Sequence, residues 1–577
     1  MGKRKRAADV PNGAAAPKST STKKARASEE PRNNERIAPS VVTVQIVTGS
    51  YDRILHGITA TLSLPSGSRR DGSGTNGKVE FADTFLFNAH TSAIRCLALS
   101  PPSAPEPGRA QKVMLASGSN DERINVYNIS AHPPKRQQPQ QEDDDGEPEG
   151  EGEGDQGKQG RNKNKKEKSG NSGSSMNELL STIAPRRILE DPRNRELGTL
   201  LHHSASVTRL AFPTRAKLLS ASEDATVGVT RTRDWSLLSA IKAPAPAAAL
   251  QGRPSGDTAA LGAAPRGVVD FAVHPSMKLM LTVGRGERCM RLWNLMTARK
   301  AGVLNFGREA LSQVGEGRHH GALLGGEGRR VVWGAGEGEG DGEDEFCVAF
   351  DRDLLVYGMD STPKCRVMPD HRTKIHEVCY VVTDAETDAA LLAVSTEDGR
   401  ILFFSTRSED LTTPAPTSKP GSSSTSMPSS SSPPLPVAKL VAQLGGKEAG
   451  VTGRIKDFSV LRAGGEEQEQ LIIPTGSSDG KVRIFTLATD ELNEARKSKG
   501  GEAATAATTK QVGRLLGTYE TSNRITCLEA FVMIPRPEGA EDSEDEDAGE
   551  YADEGEFEGL SGDEDEDDDE DDDDDSE

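Results

Sequence analysis

The sequence has few of the features typical of an enzyme, a membrane protein or a disulfide-bonded secreted domain. Aromatic residues make up only 4% of the chain, and its six cysteines are dispersed with no CxxC pair among them. Dispersed cysteines argue against a zinc site and against a disulfide framework, and they favour reduced thiols in an intracellular compartment. No apolar run approaches the roughly 18 residues of a membrane span, and no apolar core follows the basic N-terminus as it would in a signal peptide.

Motifs that carry catalysis are also scarce. The sequence contains no GxxxxGK[ST] phosphate loop, no HExxH and no GxSxG elbow. Residues 336–345 have glycines at dinucleotide-like spacing, but the interleaved acids would repel a phosphate and no helical pattern follows. His319 and His320 lie in a Gly/Glu-rich stretch that is typical of a solvated loop. We therefore expect no catalytic residue, no cofactor and no metal site.

The chain does contain a recurring turn phrase, Gly/Ala-Ser-x-Asp or a near variant of it, placed between two apolar runs. Gly, Ser and Asp suit a tight turn, whereas Val, Ile, Leu, Phe and Tyr suit a half-buried strand. Two such runs around a short turn predict a hairpin, and a third run precedes most copies. The aspartate of this phrase recurs at equivalent places in the repeated units, which favours a structural role for it over acid catalysis. The phrase ends at Asp52, Asp121, Asp224, Asp398 and Asp479.

The number of repeated units follows from the strand-like runs. Four short strands per unit of roughly 40–45 residues are typical of a WD-repeat propeller blade. Six units begin near positions 93, 206, 267, 330, 374 and 454, although the unit near 330 lacks the turn phrase.

Two fragments remain, a hairpin with an outer strand at 42–87 and a first strand at 524–531. Joined, they make a seventh blade that closes the ring and removes exposed sheet edges. The predicted fold is all-β, a single seven-bladed WD-repeat propeller over residues 41–534.

The segments outside these runs have low complexity. We expect a disordered basic N-terminal arm at 1–40, a disordered acidic tail at 535–577, and disordered inserts at about 131–175, 244–265, 308–328, 407–436 and 491–510. Basic clusters in the arm serve as candidates for nuclear import or nucleic-acid contact. These candidates are Lys3, Arg4, Lys5, Arg6, Lys23, Lys24 and Arg26.

The acidity of the chain is a property of its tail. Residues 538–577 contain 26 acids and no Lys or Arg, and the rest of the chain holds 64 acids against 70 bases. A like-charge block of this density is typical of a disordered interaction tail. Three roles are open for it: competing with nucleic acid for basic surfaces, screening the chain's own basic segments, or keeping the protein soluble.

Two histidines and one tryptophan are candidates for structural hydrogen bonds. His203 precedes Asp224 by 21 residues and His90 precedes Asp121 by 31 residues, so each could bond the turn aspartate of its unit. Trp293 stands where the tryptophan of a WD dipeptide belongs, and its indole N–H would need a partner.

The segments ELGTLLHHSASVTRLAF (196–212), LLSASEDATV (218–227) and VVDFAVHPSMKLMLTVG (268–284), followed by MRLWNLMTARKA (290–301), resemble the p21-activated-kinase-interacting WD-repeat proteins. GSYDRILHGI near the N-terminus and NRITCLEAF near the end also fit, so the resemblance covers roughly residues 44–531. The resemblance implies a nucleolar factor for assembly of the large ribosomal subunit, of the fungal maintenance-of-killer type. Animal relatives are also described as negative regulators of p21-activated kinases.

The chain departs from that family at VGRGER (283–288), where the turn aspartate is missing, and in its long inserts and acidic tail. These features leave three functions open. The first is a scaffold, monomeric within a larger complex, that docks assembly proteins in nucleolar large-subunit precursors, with direct or indirect pre-rRNA contact and no membrane. The others are a kinase-restraining adaptor and a histone-binding or chaperone-like protein.

Overall fold

The computed structural model describes residues 40–64, 79–134, 195–244, 267–307, 310–311, 326–334, 344–369, 373–384, 389–413, 434–463, 469–497 and 509–536. These residues form seven antiparallel sheets arranged as the blades of one β-propeller. Among them, no helix has the length and apolar content needed to cross a bilayer.

Six blades are built from consecutive strands, and we number them in chain order. Blade 1 contains β4 (Ile94–Leu99), β5 (Lys112–Ser119), β6 (Ile124–Ser130) and β7 (Arg195–Leu200). Blade 2 contains β8 (Val207–Thr214), β9 (Lys217–Ser222), β10 (Thr226–Arg231) and β11 (Leu237–Lys242). Blade 3 contains β12 (Val268–Val273), β13 (Leu279–Gly284), β14 (Cys289–Asn294) and β15 (Arg299–Asn305).

The second half of the ring follows the same plan. Blade 4 contains β16 (Arg330–Trp333), β17 (Glu345–Ala349), β18 (Leu354–Gly358) and β19 (Pro363–Val367). Blade 5 contains β20 (Ile375–Asp384), β21 (Ala389–Thr396), β22 (Arg400–Ser405) and β23 (Lys439–Gly445). Blade 6 contains β24 (Ile455–Phe458), β26 (Gln470–Ser477), β27 (Lys481–Ala488) and β28 (Arg514–Glu520), and the short β25 (Leu461–Ala463) pairs with β26.

Blade 7 joins the two ends of the described chain. Its strand order is β29 (Ile525–Val532), β1 (Ser40–Ser50), β2 (Ile54–Leu64) and β3 (Val79–Asn88). Strand β29 is innermost and pairs with β1 from Val44↔Val532 to Ser50↔Ile525. The predicted seven-bladed ring, closed by one blade of mixed origin, is therefore confirmed.

The hydrophobic core is divided among the seven junctions between neighbouring blades. One cluster of buried side chains lies at each junction, such as Val47 and Leu55 of blade 7 against Ile94 and Leu115 of blade 1. Strands β5 and β6 are covered on both faces, so their side chains are almost all buried, including the polar Asn125 and Asn128 of β6. Each blade thus depends on both neighbours to cover its apolar faces.

Several segments predicted to be disordered inserts have ends that are described and that belong to the folded domain. An amphipathic helix, α1 (Thr489–Lys497), occupies part of the predicted 491–510 insert, and its Leu492 and Ala495 join the cluster between blades 5 and 6. Ala131 is buried at the start of the 131–175 insert and Leu311 within the 308–328 insert. In the 407–436 insert, residues 407–413 and 434–436 are described, and Thr412 pairs with Val437. The polar composition of these segments does not indicate their buried residues, because one or two apolar residues suffice to attach a segment to the core.

Candidate interaction surface around the propeller channel

The turn aspartates of blades 1 and 2 each lie against a histidine. His90 Nδ1 is 3.1 Å from both carboxylate oxygens of Asp121, and His90 Nε2 is 2.8 Å from Ser117 Oγ. His203 repeats the arrangement, with Nδ1 3.0 Å from Asp224 Oδ2 and Nε2 2.7 Å from Ser220 Oγ. Each bond ties the entry of an inner strand to the turn of the hairpin beside it. We call the face that carries these turns the upper face.

The environment keeps these aspartates ionised. Burial alone would raise the pKa of Asp121, but the Thr91 backbone N–H and the His90 ring outweigh it, so the pKa lies below its ordinary value. The pKa of Asp224 is also lowered, because His203 and Thr226 bond its carboxylate and outweigh its burial. An ionised acceptor makes the stronger hydrogen bond.

The other three turn aspartates have different partners. Asp398 pairs with Arg400 in its own turn, and Asp479 pairs with Arg483, whose Nη2 is 2.7 Å away. Asp52 is exposed and accepts the backbone N–H of Arg524 at 3.2 Å. Among the described residues none of the three is bonded to a histidine, so the turn phrase defines a hairpin without defining one hydrogen-bond network.

Blade 3, whose turn lacks the aspartate, uses a buried ion pair instead. Glu287 and Arg291 are both buried, and Arg291 Nη2 donates to Glu287 Oε1 at 2.6 Å. In the same blade Trp293 is buried, and its Nε1 donates to Thr282 Oγ1 at 2.8 Å. In the sequence, Glu287 and Arg291 are four residues apart in the segment GERCMR. The altered turn phrase does not by itself indicate that these two residues form an ion pair.

The channel through the ring is lined by charged residues that sequence reasoning missed. The innermost strands of four blades place a charged residue at the same position, two residues after their first apolar residue. These residues are Arg209, Asp270, Glu377 and Asp457. Cys96 and Cys527 hold that position in blades 1 and 7, while Arg330 of blade 4 and Glu529 of blade 7 add to the charge.

Ion pairs join the innermost strands of neighbouring blades, and the pair of Arg209 with Glu377 joins the non-adjacent blades 2 and 5. Arg330 Nη2 lies 2.9 Å from Glu377 Oε2, and Arg330 Nη1 lies 3.4 Å from Asp270 Oδ1. Arg209 approaches the same two acids, at 3.4 Å from Asp270 and 3.5 Å from Glu377. A shift of register, typical of a β-bulge, occurs next to this position in six of the seven innermost pairings.

Acidic residues outnumber basic residues among these channel residues, and the pKa values of two of the carboxyl groups are raised. Burial, reinforced by the charge of Glu377, raises the pKa of Asp457 to about 7. Burial, reinforced by the charge of Asp457, raises the pKa of Glu529 to about 8. Asp457 also accepts the backbone N–H of Leu528 at 2.9 Å, which ties blade 6 to the closing strand of blade 7.

An apolar pocket lies away from the channel, between the outer strands of blades 7 and 1. It has a volume of about 240 Å³ and is lined mainly by Leu55, Phe85, Phe87, Leu115 and Tyr127. The Phe87 and Tyr127 rings meet edge to face with centroids 5.5 Å apart. No group of described residues could hold a metal ion. The predicted nuclear-import residues between Lys3 and Arg26 lie outside the described residues.

The blade architecture and the hairpin turns define a WD-repeat β-propeller protein. The WD domain, G-beta repeat family matches residues 82–128 and 194–229, which run from β3 through blade 1 into blade 2. A p21-activated protein kinase-interacting protein 1-like from Gallus gallus is 23% identical over 58% of this chain, and Protein MAK11 from Saccharomyces cerevisiae is 23% identical over 62% of it. A p21-activated protein kinase-interacting protein 1-like from Xenopus laevis is 31% identical over 22% of the chain.

These relatives confirm the resemblance inferred from the sequence. The aligned regions cover 63% of the Gallus gallus protein and 62% of the Saccharomyces cerevisiae protein, so the chain spans less than two thirds of either. The names of the vertebrate relatives indicate interaction with a protein kinase, and none of the names indicates catalysis.

Proposed function

We propose that this protein is a non-enzymatic scaffold that docks assembly proteins within nucleolar precursors of the large ribosomal subunit. The observation that carries the proposal is the similarity to Protein MAK11 and to the kinase-interacting relatives over about 60% of the chain, on a shared WD-repeat framework. The family that this similarity points to implies large-subunit assembly.

The geometry supports a docking role. The turn aspartates are engaged in hydrogen bonds or ion pairs that hold the blades, and the channel charges pair mostly with each other. A rigid ring with loops on two faces offers several partners fixed positions, and such a role needs no catalytic group.

The test is depletion of the protein followed by gradient sedimentation of ribosomal particles. We expect the protein to co-sediment with large-subunit precursors, and we expect depletion to lower free large subunits while free small subunits stay level. Small subunits serve as the internal control. Normal subunit ratios after depletion would contradict the proposal.

Affinity purification with and without nuclease identifies the partners. Proteins that remain bound after nuclease treatment associate independently of RNA and are the candidates for docking partners, whereas those that are lost depend on RNA. The basic arm predicts nucleolar enrichment, so a fluorescent fusion with Lys3, Arg4, Lys5 and Arg6 changed to Ala should lose that enrichment.

The names of the vertebrate relatives favour a second candidate, a regulator of a p21-activated-type kinase. Direct inhibition of a purified kinase of this type, together with normal subunit ratios after depletion, would support it over the scaffold. The acidic tail suggests a third candidate, a histone-binding protein. Deletion of residues 538–577 would then abolish histone binding.

A further inference from the structure

Six basic residues form an arc along the upper face, on four consecutive blades beside the channel mouth. They lie at the entries of the innermost strands or in the adjacent hairpin turn. We call them the basic arc: Arg329 and Arg352 of blade 4, Lys374 of blade 5, Arg454 and Lys456 of blade 6, and Arg524 of blade 7.

Few carboxylates balance the basic arc. Asp351 is shared by three of the bases, at 3.3 Å from Arg329, 3.7 Å from Lys374 and 3.9 Å from Arg352. Glu397 lies 3.1 Å from Arg454, and Asp52 accepts the backbone N–H of Arg524. Among the described residues, bases therefore outnumber the carboxylates that contact them on this part of the face.

The bases are close enough to repel each other. Burial of the Lys456 ammonium lowers its pKa, and the charges of Arg454, Arg524 and Lys374 lower it further. Lys456 Nζ also lies 3.4 Å from His376 Nε2, and burial together with the charge of Lys456 lowers the pKa of His376 to about 4. An added negative ligand would relieve this repulsion, and its effect would be screened by salt.

We propose that the basic arc docks the chain's own acidic tail, residues 538–577. Charge complementarity supports the assignment, because the tail carries 26 acids and no base while the arc has a surplus of bases. The Asp351, Glu397 and Asp52 carboxylates interrupt the arc, which suits a flexible peptide better than the evenly charged backbone of a nucleic acid.

The connection to the propeller is long enough for this contact. The described chain ends at Arg536, just after Ile534, whose N–H bonds Ala131 on the face opposite the arc at 2.8 Å. The eight residues of β29 span roughly 26 Å between the faces. The 41 residues after Arg536 reach up to about 140 Å when extended. Tethering keeps the tail near a millimolar effective concentration, so a weak site is occupied.

The inference stands apart from the proposed function, since it concerns contacts within one chain. It assigns the tail a regulatory role, in which an acidic or phosphate-bearing partner at the channel mouth must first displace it.

The test is energy transfer within the full-length protein. A donor is placed on the tail at Ser561→Cys and an acceptor on the upper face at Glu122→Cys. The native cysteines are buried or half-buried, which favours selective labelling of the two new thiols. Two charge-reversed triples are compared at about 50 mM salt, where screening is weak. One triple changes the arc (Lys374→Glu, Arg454→Glu, Arg524→Glu), and the other changes three exposed bases of the opposite face (Lys278→Glu, Arg299→Glu, Lys300→Glu).

We expect transfer efficiency to fall in the arc triple to the value reached by the wild type at about 500 mM salt, and to stay unchanged in the opposite-face triple. Melting temperatures of both triples control for folding. Equal changes in the two triples, or no change in either, would overturn the proposal. Loss of binding of a labelled single-stranded RNA by the arc triple, with unchanged transfer, would assign the arc to RNA and equally overturn it.

Discussion

Asp121 and Asp224 illustrate how one residue type holds two adjacent structural elements together. Each accepts a bond from a buried histidine and a backbone N–H from the entry of an inner strand. Removing the Asp224 carboxylate leaves the backbone N–H groups of Ser204 and Thr226 without their acceptor. Among the described residues, His203 Nδ1 then keeps only Thr226 Oγ1 at 3.2 Å. A buried unsatisfied group costs about 1–3 kcal/mol.

We therefore predict that Asp224→Ala lowers the free energy of unfolding by about 1–3 kcal/mol, measured by denaturant titration. The folded protein should still bind its partners. Asp52→Ala is the control, because Asp52 is exposed, and its effect should stay within about 0.5 kcal/mol. Lost partner binding with an unchanged melting temperature would show that Asp224 acts at an interface instead.

Acid should weaken the same contacts. The folded-state pKa of Asp121 and Asp224 is lowered, so their contribution is present above the unfolded pKa near 4 and is lost as pH falls toward the folded value.

The channel carboxyls Asp457 and Glu529 predict the opposite dependence on pH. Their folded-state pKa values, about 7 and about 8, lie above those of the unfolded chain, so the folded protein holds protons that the unfolded chain releases. The contribution of the two protonated carboxyl groups to the free energy of unfolding is therefore lost as pH rises from about 5 to about 8.

We predict that Asp457→Asn with Glu529→Gln removes this loss, so that between about pH 5 and about pH 8 the free energy of unfolding falls less, or rises more, in the double variant than in the wild type. Denaturant titrations at several pH values measure it. Glu494→Gln, on the exposed side of α1, is the control and should leave the slope unchanged. An identical dependence on pH in the double variant and the wild type would contradict the assignment to Asp457 and Glu529.

At the scale of elements, α1 shows how a segment with a polar sequence is anchored. The polar, low-complexity sequence around it favours an insert, yet Leu492 is fully buried between blades 5 and 6. The innermost strands also contain residues whose position in the fold the sequence does not indicate. Their apolar residues are evident from the sequence, but nothing local marks the charged residue between them as a channel residue.

We predict that Leu492→Ala destabilises the protein by about 2–5 kcal/mol, the usual cost of truncating a buried leucine. Thermal or denaturant unfolding measures the effect. Glu494→Ala on the same helix is the matched control and should change stability by less than about 0.5 kcal/mol. Equal effects of the two substitutions would mean that α1 contributes no core contact.

At the scale of the whole molecule, stability depends on ring closure. Without β29, strand β1 presents an unpaired edge, and the clusters of blade 7 with blades 6 and 1 lose the contribution of Ile525, Cys527 and Leu528. An exposed edge and an exposed apolar face both favour aggregation.

We predict that a chain ending at Asn523 loses its cooperative unfolding transition and aggregates in size-exclusion chromatography. A chain ending at Arg536 retains every residue of β29 and is the control. A monomeric, cooperatively unfolding product from the shorter chain would show that the ring tolerates an open blade.

The sequence by itself determined the local structure of this protein. The turn phrase, the alternation of strand-like runs and the two terminal fragments sufficed for seven blades and for their order, because hairpins depend on residues that are near in sequence. Spacing within single repeats also predicts the His90–Asp121 and His203–Asp224 contacts, which the structure contains. Trp293 was assigned by the same local pattern.

Only the tertiary structure decided which charges meet. Arg330 pairs with Asp270 and Glu377, and Arg209 reaches the same acids, although the four residues belong to four different blades. The same holds for the basic arc, whose members come from four blades. Closing the ring brings equivalent positions of all inner strands around one axis, and the low-dielectric channel then sets their pKa values.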